Sequence, residues 1–422
     1  MLPVLLAVIS ASAIANTDLL IIAIALIVIL GYIANSIFRI TKIPEVLVLI
    51  TLGALMVPVL HILPNSYVAA LRNLTPLFGT VALIMIMYGG GEKLKLNVKE
   101  LADPRGYVLA LLDVFLIAII ITVVMYFIFG WPLIYSAILG VVLGGTSSVV
   151  VITIISRLKI SQKLYNVLLI ETTLNSVVQV VVFSLLLVFL SGHAFSAASY
   201  TEYVVSNLSV GAAIGVVVAI GWLFLQSLLK GARNYLATLA VAFLLYGAVD
   251  FLGGSALVAI LLFAIIVGNA QILKKYLKIE IPKRGQTGEA VKQALEFLVR
   301  TFFFVFIGMI AYFSTGVLVF AAAALAIILA VRWIEVKLVH WESKNYQMLA
   351  YALLPRDLTT AVLASIIYSF GGQYAASIFG ISFIIIITTD IISAVLVSKF
   401  AKGAEKAAAG AKERLVIVRD SV

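Results

Sequence analysis

Apolar runs of about twenty residues follow one another along almost the whole chain, separated by short stretches where Lys, Arg, Gly and Pro gather. Wound as a helix, a run of that length crosses the roughly 30 Å of hydrocarbon in a bilayer. The pattern predicts thirteen spans: 18–38, 44–60, 67–90, 107–129, 133–156, 163–190, 199–229, 233–250, 254–271, 288–314, 316–339, 346–370 and 373–399. Two of them are interrupted. The fifth carries Gly144-Gly145-Thr146-Ser147-Ser148, and the twelfth is broken at Leu354-Pro355-Arg356-Asp357. Each is followed by a span with polar residues at depth, Glu171, Asn175 and Ser176 in the sixth and Asp390 in the thirteenth. The first repeat starts outside and the second inside, so the halves run in opposite senses. Paired broken helices in such halves point to a midplane substrate site. The expectation is an all-α membrane protein of about thirteen transmembrane helices in two inverted repeats, with two discontinuous helices crossing near the midplane. Repeat one is 18–190, the linker helix 199–229 and repeat two 233–400. Residues 1–17 read as a signal or a short translocated segment, and 401–422 as a solvated, partly helical tail.

Composition agrees with this pattern. Of 422 residues, 64% are hydrophobic and 11% charged, with a mean hydropathy of +1.20, more apolar surface than a soluble core can bury. The net charge of +10 suggests nucleic acid in a soluble protein, but its distribution along this chain argues otherwise. Of 29 Lys and Arg, 25 fall in one set of loops, span ends and the tail. Only Arg72 lies on the opposite side, and Arg300, Arg332 and Arg356 lie inside spans. The positive-inside rule then puts the N-terminus outside and the C-terminus in the cytoplasm of a plasma (inner) membrane, with no nucleic-acid partner. Zero cysteines exclude disulfides and thiolate metal sites, and the three histidines are isolated, so no cofactor or resident metal is expected.

Polar groups within the spans carry the candidate chemistry, because they are costly in hydrocarbon unless they face partners or a wet cavity. A helix broken in mid-membrane offers spare N–H groups at one end and spare carbonyls at the other, which suits a small ion. Thr146, Ser147 and Ser148 add neutral oxygens at the first break; the alternative is a seam of small residues for close helix packing. Glu171 and Asn175, four apart, share a helix face. Glu171 either carries a proton or locks an ion pair with Arg332 or Arg356. Arg356, beside Asp357, balances the dipole ends at the second break. Asp390 sits among isoleucines, an environment that favours a raised pKa and proton carriage. Glu296 and Arg300 are expected to form a local i,i+4 salt bridge. Asp113 and Asp250 are expected near span ends, as snorkelling or gating residues. Gly89-Gly90-Gly91 follows no strand and is a weak phosphate-loop match.

Several of these stretches resemble monovalent cation/proton antiporters of the sodium/proton exchanger kind. Thr41-Lys42-Ile43-Pro44-Glu45 with Leu52-Gly53-Ala54-Leu55-Met56-Val57-Pro58 is similar to their second helix, and Tyr88-Gly89-Gly90-Gly91-Glu92-Lys93-Leu94 to the end of their third. Gly145-Thr146-Ser147-Ser148, Glu171-Thr172-Thr173-Leu174-Asn175-Ser176 and Pro355-Arg356-Asp357-Leu358-Thr359-Thr360-Ala361-Val362 resemble their ion-site motifs. The resemblance covers about residues 18–400. It implies a homodimer in which a core of broken helices moves against a dimerisation panel, exchanging Na+ or K+ for H+. It also implies Thr146 and Ser147 at the first break, Asn175 and position 176 at the ion site, Glu171 with Arg332 in a stabilising pair, and Arg356 at the second break.

Position 176 departs from the family, which usually has aspartate there, and Asp357 stands where glycine is common. A serine hydroxyl can ligate a cation but releases no proton near neutral pH. The leading reading is an altered form in which serine has replaced aspartate. Otherwise Asp390, Asp357 or Glu171 has taken over, or the coupling is to something other than protons. The sequence therefore predicts a secondary active cation/proton exchanger in a lipid membrane. The alternatives are a transport-incompetent or ion-sensing protein of the same fold, and a sodium-coupled solute transporter. No nucleophile, metal or phosphate motif supports an enzyme.

Overall fold

In the computed structural model the described residues are 25, 27–34, 36, 45–55, 65–94, 103–190, 197–228, 235–277, 286–310, 314–356 and 358–420. Every regular element among them is a helix. In chain order these are α1 (Glu45–Ala54), α2 (Asn65–Lys93), α3 (Pro104–Val123), α4 (Leu133–Leu143), α5 (Ser148–Ile155), α6 (Gln162–Leu190), α7 (Ala197–Leu228) and α8 (Tyr235–Phe251). They continue as α9 (Ala256–Gly268), α10 (Ala270–Leu277), α11 (Gln286–Met309), α12 (Thr315–Leu338), α13 (Lys344–Ala352), α14 (Leu358–Ser369) and α15 (Gln373–Asp420). Residues 27–34 are also helical. Among the described residues, six stretches are long and apolar enough to cross a membrane: Pro104–Ile128, Leu133–Ile155, Gln162–Leu190, Thr201–Leu228, Thr315–Leu338 and Gln373–Ala409. Much of the first two expected spans lies outside the described residues.

The helices pack as two groups. α3 lies against α4, α6 and α12, while α12 lies against α13 and α15 and α14 against α15. That group contains both broken spans. In the other, α9 packs on α2, α7 and α8, and α11 on α1, α2 and α8. The groups meet where α2 touches α6 and α14. Lipid tails are as apolar as leucine, so helices in a membrane gain by close backbone approach at small residues. The α1–α11 contact shows this most clearly: a Cβ on Gly53 would stand 2.0 Å from the Val305 carbonyl oxygen, and one on Gly308 2.2 Å from that of Ile50.

Helix α15 does not stop where the apolar run ends near residue 400 but continues to Asp420. Its Ala-, Lys- and Glu-rich continuation favours helix. The first turns are docked: Ala404 and Ala408 are buried, Ala404 in a cluster with Leu164, Tyr346 and Leu349, and Glu405 accepts the Lys159 N–H at 3.0 Å.

On the same side, one polar cluster ties three elements together. Asp103 caps α3 by accepting the Arg105 N–H at 3.1 Å. Arg105 reaches across to Glu342 (3.1 Å) and the His340 carbonyl (3.0 Å) in the α12–α13 link, and Lys163 at the start of α6 pairs with Glu342 at 2.9 Å. Burial pushes the Glu342 carboxyl up, but the hydrogen bonds from Arg105 and Lys163 outweigh it and hold the pKa at about 2, against an ordinary 4.5.

Two predictions follow from this packing. Gly53→Leu or Gly308→Val forces α1 and α11 apart, an overpacking cost of about 1–3 kcal/mol, so each lowers the thermal midpoint in detergent. Gly221→Ala, whose Cβ meets open space, leaves it unchanged; equal midpoints for all three would refute the contact. For the polar cluster, a carboxylate with a depressed pKa adds stability that is fully present above its ordinary value and lost as pH falls toward the depressed one. The midpoint difference between the unaltered chain and Glu342→Gln therefore shrinks between about pH 4.5 and 2, and a difference constant over that range contradicts the assignment.

Candidate functional site

The chain leaves helix twice in the group that holds both broken spans, and the two breaks touch. Between α4 and α5, Gly144 is extended and Gly145 has φ +102°, a conformation that disfavours any side chain. A Cβ on Gly145 would also come 3.0 Å from Gln179 Oε1. Ser147 then caps α5, its hydroxyl accepting the Val150 N–H at 3.0 Å. Its own N–H donates to the Pro355 carbonyl at 2.7 Å, a direct backbone link between the two breaks. Between α13 and α14, Leu353 to Arg356 are non-helical, as expected where Pro355 cannot continue a helix.

Helix ends buried in apolar surroundings need partners for their last carbonyls. At the end of α4, Gln179 Nε2 donates to the Val141 and Val142 carbonyls at 3.0 and 2.7 Å. At the end of α13, Arg332 donates to the Ala350 carbonyl from Nε (3.2 Å) and Nη2 (2.7 Å), and to that of Leu353 from Nη2 (2.9 Å). The Ser393 hydroxyl donates to the Ala352 carbonyl at 2.7 Å. Gln179 and Ser393 each stand three residues after Ser176 and Asp390, so α6 and α15 serve the two half-helices from matching registers.

The candidate residues fall into separate groups around these breaks. Arg356 makes a two-pronged pair with Asp113 on α3, Nη1 to Oδ2 and Nη2 to Oδ1, both at 3.1 Å. Its backbone N–H donates to Thr389 Oγ1 at 3.1 Å. Asn175 joins the group, its Nδ2 donating to Asp113 Oδ2 at 3.2 Å and to Thr146 Oγ1 at 2.9 Å. Arg332 Nη1 donates to Glu171 and also to Glu335 at 2.7 Å. Asp390 is buried beside Thr389. Asp357 lies outside the described residues.

Ser148 and Ser176 belong to a third place. A cavity of about 70 Å³ is lined by Gly89, Gly90 and Lys93 of α2, by Glu296 and Arg300 of α11, and by four hydroxyl-bearing residues, Ser148, Thr173, Ser176 and Thr359. The Thr173 hydroxyl is buried with no hydrogen-bond partner among the described residues. Ser176 Oγ donates back to the Thr172 carbonyl at 3.1 Å, which leaves its lone pairs available. Neutral oxygens from several elements suit a hard monovalent cation. Among the described residues no group of three His, Cys, Asp or Glu could hold a metal ion.

Two residues of this constellation escaped the sequence reading. Asp113, expected near a span end, is fully buried at the tenth position of α3, about 14 Å along its axis. Helix α3 starts at Pro104, earlier than the apolar run, and that capped start was the missed signal. Glu335, three residues after Arg332 on α12, was readable as a same-face partner. One further expectation is corrected. Arg300 pairs not with Glu296 but with Glu45 of α1, at 3.1 Å, because α1 packs directly against that face of α11. Asp250 is exposed one residue before the end of α8, near a span end as expected. Around the breaks, Asp113, Glu171, Glu335 and Asp390 are all at most 1% exposed, and so are Arg332 and Arg356: four carboxyl groups against two guanidinium groups.

Comparison with known proteins returns one family model and a set of solved structures. The family model described as sodium/hydrogen exchanger, transmembrane, matches residues 4–402. The sodium proton antiporter MjNhaP1 from Methanocaldococcus jannaschii, in a structure at pH 8, superposes with a TM-score of 0.73 at 18% identity, covering 90% of this chain and 99% of that one. A second MjNhaP1 structure, an electron-microscopy map, gives 0.72 at 18% identity, covering 93% and 98%. These likenesses are of fold. No curated protein matches the sequence.

Removing one member of a buried ion pair strands the other and costs about 3–5 kcal/mol, whereas replacing both with apolar groups is often near neutral. Asp113→Leu and Arg356→Met should each destabilise by that order in thermal denaturation, and the double variant by clearly less than their sum. Additive losses would mean that the two side chains are not coupled.

Proposed function

The chain belongs to the sodium/hydrogen exchanger family, and from that premise we propose that it is a secondary active transporter exchanging Na+ or K+ for H+ by alternating access. It is a multi-pass integral membrane protein of a transporter family, not an enzyme. The observation that carries the proposal is the cavity whose lining includes Ser148, Thr173, Ser176 and Thr359, next to two chain breaks that hydrogen-bond to each other. In this reading the breaks are the discontinuous helices of two inverted repeats within a thirteen-helix membrane domain, 18–400. They cross near the midplane, the C-terminus is cytoplasmic, and the protein works as a homodimer in the lipid of the plasma (inner) membrane.

In this reading the cation binds among these hydroxyls, with Glu296 as the acid of a lining that also holds Lys93 and Arg300. Thr146, Ser147 and Asn175 hold the first break in shape, with Glu171, Arg332 and Arg356 fixing the charge around it. The matched registers of Gln179 and Ser393 support the repeat relation, and by that relation Asp390 stands in one half where Ser176 stands in the other. Asp113 pairs with Arg356 and Glu171 with Arg332. On the matched register of Asp390 and Ser176 we assign the proton to Asp390, with Asp357 as the second candidate. A surplus of buried carboxyl groups over guanidinium groups is stable when a proton or a bound cation offsets it, and competition between the two is exchange.

The second reading is an ion-sensing or transport-incompetent protein of the same fold, favoured by the hydroxyl in place of a titrating group at position 176. Sodium-coupled uptake of a solute is the third, against which the small cavity argues.

Proteoliposomes diluted across a Na+ or K+ gradient with an internal pH dye decide among them. We expect cation-dependent proton flux that falls to background in Asp390→Asn and returns in the double variant Asp390→Asn, Ser176→Asp. Flux unaffected by Asp390→Asn removes the proton assignment. Cation-dependent thermal stabilisation without flux, even in Ser176→Asp, replaces exchange by sensing, and tracer uptake of an organic solute would replace both.

A further inference from the structure

The last turn of α12 and the chain leading into α13 border a second cavity, of about 490 Å³ and open to the surface. Sites for small molecules run from about 300 to 1,000 Å³, so this one admits a headgroup-sized ligand. Its described lining carries Lys337, His340 and Lys344 and no carboxylate. The walls are fixed by contacts that do not use those cations. Trp341 donates its indole N–H to the Val336 carbonyl at 2.7 Å and lies beneath the Arg105 guanidinium, 5.9 Å from the ring centre. Gln347 reaches the same carbonyl at 3.4 Å, and the Ser343 hydroxyl is taken up by the Asn345 N–H at 3.2 Å. Glu342, the neighbouring acid in the link, is held by Arg105 and Lys163.

Beside the cavity, α12 presents an apolar face. Trp333 and Leu338 are 52% and 67% exposed, with Ile334 between them, and the Lys337 ammonium rests 3.6 Å above the Trp333 ring. A tryptophan with a lysine folded over it at the end of a membrane helix is the arrangement that side chains adopt at a bilayer interface. The cavity thus opens where a lipid headgroup would lie, next to a surface where acyl chains would pack.

We propose that this cavity binds the phosphate headgroup of an anionic phospholipid, with Lys337, Lys344 and the His340 imidazole around the phosphate and the Trp333, Ile334 and Leu338 face of α12 against the acyl chains. Two ammonium groups with no lining carboxylate favour an anionic headgroup over a zwitterionic one, and the adjoining apolar face favours a lipid over a free anion. The site is separate from the cation cavity and does not depend on exchange.

The full chain in detergent is titrated with phosphatidylglycerol, with phosphatidylcholine, and with inorganic phosphate, reading the thermal midpoint. Phosphatidylglycerol should raise it; phosphatidylcholine and inorganic phosphate should not. The double variant Lys337→Gln, Lys344→Gln should lose more than half of the gain. The control Lys402→Gln, Lys406→Gln removes two exposed lysines from α15 and should keep it. If the lysine pair cannot be purified folded, Lys344→Gln with His340→Ala, both on exposed positions, carries the same test. An undiminished gain in the cavity variants, an equal loss in the control, or an equal gain from inorganic phosphate overturns the proposal.

Discussion

Two helix ends buried in an apolar interior determine most of what surrounds them. Each exposes carbonyl oxygens that water cannot reach, and each such group left without a donor costs free energy on the scale of a lost hydrogen bond or more. The chain meets the cost with side chains from neighbouring helices: an amide, Gln179, at α4, and a guanidinium and a hydroxyl, Arg332 and Ser393, at α13. The choice of donor has consequences. An amide brings no charge, but a guanidinium inside the protein demands carboxylates, and Glu171 and Glu335 are there for it. Part of the buried ionic network therefore follows from ending a helix in mid-protein.

The second arginine extends the argument to α3. Arg356, on the non-helical stretch, is fully buried, and its carboxylate comes from α3. Asn175 then spans Asp113 and Thr146, so that the first break, the second break and α3 share one hydrogen-bonded unit. Together with the backbone link from Ser147 to Pro355, this makes the two breaks one structural object. Under the exchange reading, such an object moves as a whole or not at all. The polar cluster of Asp103, Arg105, Lys163 and Glu342 gives the same elements a second tie at their ends.

The parts of this design that were legible in the sequence are those that rest on local rules. Apolar runs long enough to cross a bilayer read out as helices over most of the chain, and Gly144-Gly145 and Pro355 marked the breaks because few backbones other than a turn can use them. Long-range pairings were not legible. Asp113 and Arg356 are 243 residues apart, and nothing in the neighbourhood of either names the other. Arg300 shows the opposite failure: the i,i+4 rule offered Glu296, and the packing of α1 against α11 supplied Glu45 instead. Local rules rank nearby partners, whereas the fold decides which helices face each other. The hydroxyls of the cavity lining lay between these cases, since Ser148 and Ser176 were visible as polar residues in apolar runs but Thr173 and Thr359 became significant only once five elements converged on one cavity.

That convergence bears on why a hydroxyl is tolerable at position 176. Under the exchange reading, neutral oxygens of the cavity lining supply the coordination, and the charge around them is shared among the buried acids near the breaks and the lining's own Glu296, Lys93 and Arg300. Under the same reading, a carboxylate at position 176 would combine coordination and charge in one residue and bring a further demand for a counter-charge into a region that already holds four acids. Dividing the tasks would let a cation be held by groups that do not titrate, while proton binding altered the field from a distance. The affinity of the hydroxyls for a cation would then fall when a surrounding carboxyl group is protonated, and that dependence would couple the two ions.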